Sequence, residues 1–208
     1  MRHHSRTDQL RQVLGRCERL ALEWSGPLYR SASVRYANRD DFLTGAGAKV
    51  AGARWNAPGS FATIYTSLAP ETAILEALAH HRYFHLPIEQ ALPRVLASAQ
   101  VVLRHVLDLT NARIRKSLGV TVSELLEEDW RSANNNGNEA LTQALGRLAW
   151  NAEWECLLVP SAAHRSGTNL IIFPGNLVPL SAHHQSGAIA AASRPLNRTF
   201  DRRFACKS

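Results

Sequence analysis

The apolar positions fall into short periodic segments. Leu10, Val13, Leu14, Cys17, Leu20 and Ala21 recur at helical spacing behind Thr7-Asp8, a pair able to cap a helix start, and predict an amphipathic helix with an arginine-rich outer face. After Ser25-Gly26-Pro27, the run Leu28-Tyr29-Arg30-Ser31-Ala32 reads as a short strand. Residues 40–59 carry Gly45, Gly47, Gly52, Pro58 and Gly59, which predicts a long loop of the functional or mobile kind. Ala62 to Thr66 alternates as a strand does, with β-branched and aromatic residues. Pro70 then opens a helix with Ala73, Ile74, Ala77 and Leu78 inward and Glu76 off the centre of that stripe.

The second half continues in the same way. Strand-like alternation runs through residues 94–109, around Val101 to Leu107. Thr121-Val122-Ser123-Glu124 is a capping-box signature for a helix presenting Val122, Leu125, Leu126 and Trp130 on one side. A break at Asn134-Asn135-Asn136-Gly137 precedes a helix with Leu141, Leu145, Leu148 and Ala149 inward. Two strands, Glu155 to Val159 and Asn169 to Phe173, close the pattern around a turn at residues 161–168. Trp130, Trp150 and Trp154 are assigned to the core or to partner contacts. The expected organisation is one domain over residues 1–182 and a basic, loosely attached tail over 183–208.

Charge changes this picture by its location. The 208 residues hold 24 Lys and Arg against 17 Asp and Glu, a net charge of +7. Residues 1–19 contribute +3 and residues 194–208 contribute +4, so the centre is neutral and a basic binding face would have to be built from the termini. The cysteines Cys17, Cys156 and Cys206 are scattered, which argues against a disulfide framework and for a reducing compartment. Apolar runs stop far short of the roughly 20 residues that span a bilayer, and no apolar signal core follows the basic N-terminus. A cytoplasmic protein without membrane contact is expected.

Several familiar chemistries are missing their motifs. Gly45-Ala46-Gly47 has Val50 where the dinucleotide fingerprint needs its third glycine, and no phosphate loop of the GxxxxGK[ST] type is present. His81 and His85 lie four apart without an HExxH context or a third ligand, so no metal is expected. Neither Ser60 nor Ser161 sits in a GxSxG elbow, and Cys156 lies in an apolar strand pattern as a core residue would.

Four segments carry residue types that a purely structural role does not require. They are Tyr29-Arg30; Gly52-Ala53-Arg54-Trp55-Asn56; Tyr65-Thr66-Ser67 running into Pro70 and Glu76; and residues 155–161 followed by Gly167-Thr168-Asn169. Their types and order resemble the RES domain family, toxins of bacterial toxin–antitoxin pairs named for an arginine, a glutamate and a serine, which Arg30, Glu76 and Ser161 match. The resemblance covers residues 27–180, leaving out the N-terminal helix and the tail. It implies an α+β fold like that of ADP-ribosyltransferases, a pair of packed β-sheets with surrounding helices, that binds NAD and cleaves its nicotinamide–ribose bond. Family members consume NAD by hydrolysis or by transfer to inorganic phosphate, or ADP-ribosylate a protein. The implied partner is a helical, DNA-binding antitoxin, with homo-oligomerisation inside the complex left open.

The residue chemistry agrees with those roles. Guanidinium forks suit a pyrophosphate, and Arg30 and Arg54 can each supply one. Cleavage of the glycosidic bond passes through a sugar cation, which a carboxylate stabilises, and Glu76 is the candidate. Tyr65, or else Tyr29 or Trp55, offers a stacking surface for the flat leaving group. Ser161 and Asn169 are candidates for hydrogen bonds to ribose, phosphate or carboxamide. The catalytic candidates are therefore Arg30, Glu76 and Tyr65, and the NAD-binding ones Arg30, Arg54, Tyr29, Tyr65, Ser161 and Asn169. Nicotinamide leaves as a neutral group from a cationic ring, so NAD as substrate, with phosphate as co-substrate, needs no metal. The competing readings are a mono-ADP-ribosyltransferase that modifies a protein and a basic nucleic-acid-binding module; the leading reading includes no direct nucleic-acid contact.

Overall fold

Strands β1 (Leu22–Ser33), β2 (Ile64–Ser67), β3 (Arg94–Asp108), β4 (Cys156–Pro160), β5 (Thr168–Ile172) and β6 (Ala192–Pro195) form a six-stranded sheet in the order β1-β2-β5-β4-β3-β6. The structure, a computed structural model, describes residues 1–36, 42–178 and 192–195. β1 also pairs with β3 along almost its whole length, from Leu22 opposite Val106 to Ser33 opposite Arg94, so the first five strands close into a ring. β3 and β4 are parallel, and the other pairings are antiparallel.

Side chains alternate across a strand, so this ring has two apolar faces. Leu28, Ile64, Leu103, Val106, Cys156, Leu170 and Ile172 meet on one of them, with all five strands contributing. Their neighbours Leu107, Leu157, Val159 and Ile171 point the other way, into a larger core made with the helices. The described helices are α1 (Thr7–Cys17), α2 (Ala46–Ala51), α3 (Pro70–Tyr83), α4 (Ala112–Leu118), α5 (Val122–Glu127), α6 (Trp130–Asn135) and α7 (Leu141–Asn151), of which α1, α4, α5 and α7 contribute to that core. Leu10 and Leu14 of α1, Leu118 of α4, Leu125 of α5 and Leu145 of α7 are all but fully buried there, with Trp154 and Phe173. Among the described residues no helix is long and apolar enough to cross a membrane.

The arrangement is mixed α+β as expected, but the strands form one sheet closed by the β1–β3 pairing where a pair of packed sheets was expected, and α2, α4, α6 and β6 are additions to the expected elements. β1 runs for 12 residues instead of five because β3 supplies a partner for all of it, across Gly26-Pro27 as well. The segment expected as an open loop contains α2, and Gly59 N–H donates to Lys49 C=O to close it. Gly52 ends α2 at φ 70°, where an added Cβ would come within 2.6 Å of the Pro58 ring.

The first helix has no Thr or Asp cap. Arg6 occupies the N-cap position, Thr7 donates instead to His4 C=O at 2.7 Å, and Leu20 lies beyond the helix end, 51% exposed. The capping box at Thr121 is present, with Glu124 N–H donating to Thr121 Oγ1 and Thr121 N–H to Glu124 Oε2. That helix stops at Glu127, because Asp129 caps a new one through the N–H groups of Arg131 and Ser132. Trp130 therefore does not share a face with Val122, and Leu125 is the buried residue of α5.

The basic N-terminus is knitted into the fold. Arg2 pairs through its backbone with Gly137 and Glu139, Arg6 forms a 2.8 Å ion pair with Glu124, and the buried Glu139 accepts from His4 N–H and from Arg147. Of the tail expected over 183–208, residues 192–195 pair with Val95–Ser98 of β3, and the rest lies outside the described residues.

Candidate active site

Glu76 sits in the middle of α3, which begins with Pro70 at its first turn and packs against β1, β2 and β3. The register of the strands brings Glu76 its partners. Asn169 of β5 stands opposite both Val159 of β4 and Ser67 of β2, and Ser161 follows immediately after β4. Ser161 Oγ donates to Glu76 Oε1 at 2.6 Å, Asn169 Nδ2 donates to the same oxygen at 2.7 Å, and Ala163 N–H approaches it at 3.4 Å. Ser67 Oγ in turn donates to Asn169 Oδ1 at 2.7 Å, which fixes the direction of the amide. One carboxylate oxygen is thus fully occupied. Among the described residues the other takes no hydrogen bond.

Tyr65 of β2 and the segment after α2 make the adjoining wall. The Tyr65 hydroxyl donates to Asn56 Oδ1 at 2.8 Å and accepts from Trp55 N–H at 2.9 Å, and burial holds its pKa far above that of an ordinary phenol. Asn56 is itself fully buried and donates to Ala48 C=O. Gln143 of α7 reaches Ala53 C=O at 3.0 Å, and Gly146 lets α7 approach so closely that an added Cβ would overlap Trp55 C=O. Together these contacts leave the Tyr65 ring, rather than its hydroxyl, to face a ligand.

Arg54 projects from this same segment. Its Nη1 donates to Leu125 C=O and Glu128 C=O, both at 3.1 Å, while the Glu128 carboxylate accepts from the first N–H groups of α7. Burial lowers the Arg54 pKa, and the negative charges of Glu76 and Glu128 oppose that shift. Arg30 of β1 donates from Nη1 to Phe42 C=O at 2.5 Å and lies 5.5 Å from the Phe42 ring centroid.

These residues surround a cavity of about 660 Å³, within the range of small-ligand sites. Tyr29, Arg30, Arg54, Tyr65, Glu76 and Asn169 all line it. Ser161 does not. It is buried behind Glu76 and serves the carboxylate instead of the cavity. Trp130 also lines the wall, alongside Tyr83 and Arg131, instead of standing in the core.

Gln143 and Gly146 carry the geometry of the site without any motif, and Ser67 and Asn56 do so from within the singled-out segments, where the sequence assigns them no role. Each acts through a partner more than eight residues away, so no local signal reveals it. Asp129-Trp130-Arg131 does carry a local signal, an arginine beside an aromatic ring and a capping aspartate. A smaller, mostly apolar cavity of about 200 Å³ lies on the other face of the sheet and shares Arg30 and Thr66 with the first. Among the described residues no group of three or more His, Cys, Asp or Glu is placed to hold a metal.

The chain belongs to the RES domain family, whose model matches residues 27–196 and so includes every candidate site residue. It is similar to NAD(+) phosphorylase MbcT of Mycobacterium bovis and of Mycobacterium tuberculosis, 30% identical over 153 residues that make up 73% of this chain and 74% of the relative. Its structure is similar to that of the M. tuberculosis MbcT–MbcA toxin–antitoxin complex, with a TM-score of 0.63 and 26% identity over 82% of this chain and 85% of that chain.

Proposed function

We propose that this chain is the toxin of a toxin–antitoxin pair and depletes NAD by phosphorolysis of the nicotinamide–ribose bond. The observation that carries the reading is the Glu76 clamp. Ser161 and Asn169 hold one carboxylate oxygen, and the free one belongs to a cavity that also contains Arg54 and Arg30.

In this scheme the glycosidic C–N bond breaks with its electron pair going to nicotinamide, which departs neutral. An oxygen of inorganic phosphate forms the new bond to the ribose carbon, giving ADP-ribose 1″-phosphate. Glu76 stabilises the cationic ribose between those events and orients a ribose hydroxyl. Arg30 and Arg54 grip phosphoryl oxygens through their forks. Tyr65 contributes its ring as a stacking surface; its phenol remains protonated and acts as no base. Asn169 both steadies Glu76 and lines the cavity, and Tyr29 completes the wall beside Arg30. NAD is the substrate, and none of these steps calls for a metal.

The same reading assigns the chain an ADP-ribosyltransferase-like relationship, a cytoplasmic location and a helical, DNA-binding antitoxin as partner. One solved structure similar to this chain is that of a toxin–antitoxin complex. The deciding experiment is product analysis after incubating the purified protein with NAD, with and without phosphate and with cell lysate. Nicotinamide together with ADP-ribose 1″-phosphate, formed only when phosphate is present, is the expected result. Free ADP-ribose regardless of phosphate would make water the acceptor, and label transferred to a lysate protein would replace the scheme with mono-ADP-ribosylation.

A further inference from the structure

Beyond Glu76 the cavity wall continues to the end of α3 and onto α6, where Arg131 is held by an arrangement that the cleavage chemistry does not use. Its guanidinium carbon lies 4.5 Å from the Tyr83 ring centroid and 4.3 Å from that of Trp130. The Tyr83 hydroxyl is fixed in turn by a 2.8 Å hydrogen bond to Asp129 Oδ2, and Asp129 Oδ1 is taken by the N–H groups of Arg131 and Ser132. The carboxylate nearest in sequence is thus committed to other donors. Among the described residues the Arg131 guanidinium makes no hydrogen bond and no ion pair. Aromatic rings against the face of a guanidinium fix its plane and leave the N–H edge for an anion, the geometry that favours a phosphate fork.

Position identifies which anion. Glu76 and Tyr83 are two turns apart on the same face of α3, ~10 Å along its axis. Arg54 lies within Coulombic reach of both Glu76 and Arg131, and all three line the same cavity. An acceptor phosphate must approach the ribose carbon beside Glu76, so a guanidinium two turns away does not hold it. A dinucleotide whose nicotinamide ribose lies at Glu76 extends through two phosphoryl groups in sequence, and the second reaches this rim.

We propose that Arg131, fixed by Tyr83 and Trp130, binds the adenylate-side phosphate of NAD and so selects the dinucleotide over the mononucleotide. The proposal rests on NAD being the substrate. It assigns Arg131 to binding and specificity, not to the bond-breaking step.

The test compares the full-length wild-type protein with Arg131→Ala, following nicotinamide release from NAD, with nicotinamide mononucleotide added as a competitor. Losing a charge-assisted fork is expected to raise KM for NAD by about ten- to a hundredfold at nearly constant kcat. Inhibition by the mononucleotide, which lacks the adenylate phosphate, should keep its constant. Thermal melting monitors the fold, and if it shifts, Arg131→Met, which keeps an unbranched apolar stem against the rings, supplies the reading. An unchanged KM for NAD, or a loss of mononucleotide inhibition by the same factor, would overturn the assignment. A wild-type protein that releases no nicotinamide from NAD would instead remove the underlying reading.

Discussion

Ser161 and Glu76, 85 residues apart in the chain, are joined by a 2.6 Å hydrogen bond in which the hydroxyl is the donor. The serine has no freedom to act otherwise, because its oxygen already accepts from Ala163 N–H at 3.2 Å and His164 N–H at 3.0 Å. Its single proton therefore goes to the carboxylate. With Asn169 on the same oxygen, Glu76 is oriented before any ligand arrives, which is the preorganisation that makes an electrostatic group effective in a transition state.

Replacing Glu76 by glutamine tests charge separately from structure. The amide oxygen can still accept from Ser161 and Asn169, so Glu76→Gln should melt close to the wild-type temperature while NAD cleavage falls by at least about a hundredfold. Glu76→Ala is a poorer probe. It leaves the Ser161 hydroxyl and the Asn169 amide without their acceptor, at a cost of about 1–3 kcal/mol, or several degrees in Tm. Full activity in a folded Glu76→Gln protein would remove the carboxylate from the mechanism.

Ser161→Ala should separate a positioning role from direct binding. The substitution removes the hydrogen bond to Glu76 and the acceptor for the Ala163 and His164 N–H groups, and Ser161 itself does not line the cavity, so kcat is expected to drop by about tenfold with KM for NAD nearly unchanged. A rise in KM at constant kcat would show that Ser161 reaches the ligand itself.

How much of this was legible in the sequence depended on range. Period-two alternation located β2, and strand runs ending at a proline located β4 and β5, to within a residue or two, and the Thr121 and Pro70 signals located two helix starts, because these cues are local. The local pattern gives β1 only five of its 12 residues, because its pairing partner, β3, lies some 70 residues downstream and no local property of Ser25-Gly26-Pro27 announces a strand. The helical phase of Glu76 alone places it off the buried stripe, since the groups that hold its carboxylate come from β5 and from the turn after β4. Ser161, expected to meet the ligand, serves Glu76 instead, and that distinction lives entirely in tertiary placement.

Gly146 illustrates a position with no sequence signature and a large expected effect. A Cβ there would lie 1.9 Å from Trp55 C=O, so Gly146→Ala must push α7 away from the segment that holds Arg54, Trp55 and Asn56. The overpacking should cost about 1–3 kcal/mol. Displacement of Arg54 and Tyr65 should also weaken NAD binding, measurable by calorimetry beside the melting curve. Wild-type affinity together with a wild-type Tm would show that the loop accommodates the methyl group and that this close approach is not what shapes the wall.

The buried Glu139–Arg147 pair gives a pH-dependent prediction. Burial pushes the Glu139 carboxyl up, but the Arg147 guanidinium, His4 N–H and the charge of His3 outweigh it and hold the pKa below its ordinary value. A carboxylate with a depressed folded pKa contributes stability that is full above its unfolded pKa, about 4.3, and is lost as pH falls through the folded value. Glu139→Gln should therefore lower stability at pH 7 by about 3 kcal/mol, the scale for breaking a buried pair, or roughly 6–12 °C in Tm. The gap between wild type and variant should then narrow as the pH falls below about 4.3. Glu124 and Asp129, whose carboxyls are also depressed, remain in both proteins and cancel in the difference. Melting curves from pH 7 to pH 3 read this directly, and a gap that stays constant across the range would show that the charge of Glu139 contributes nothing to holding the N-terminal arm and α7 together.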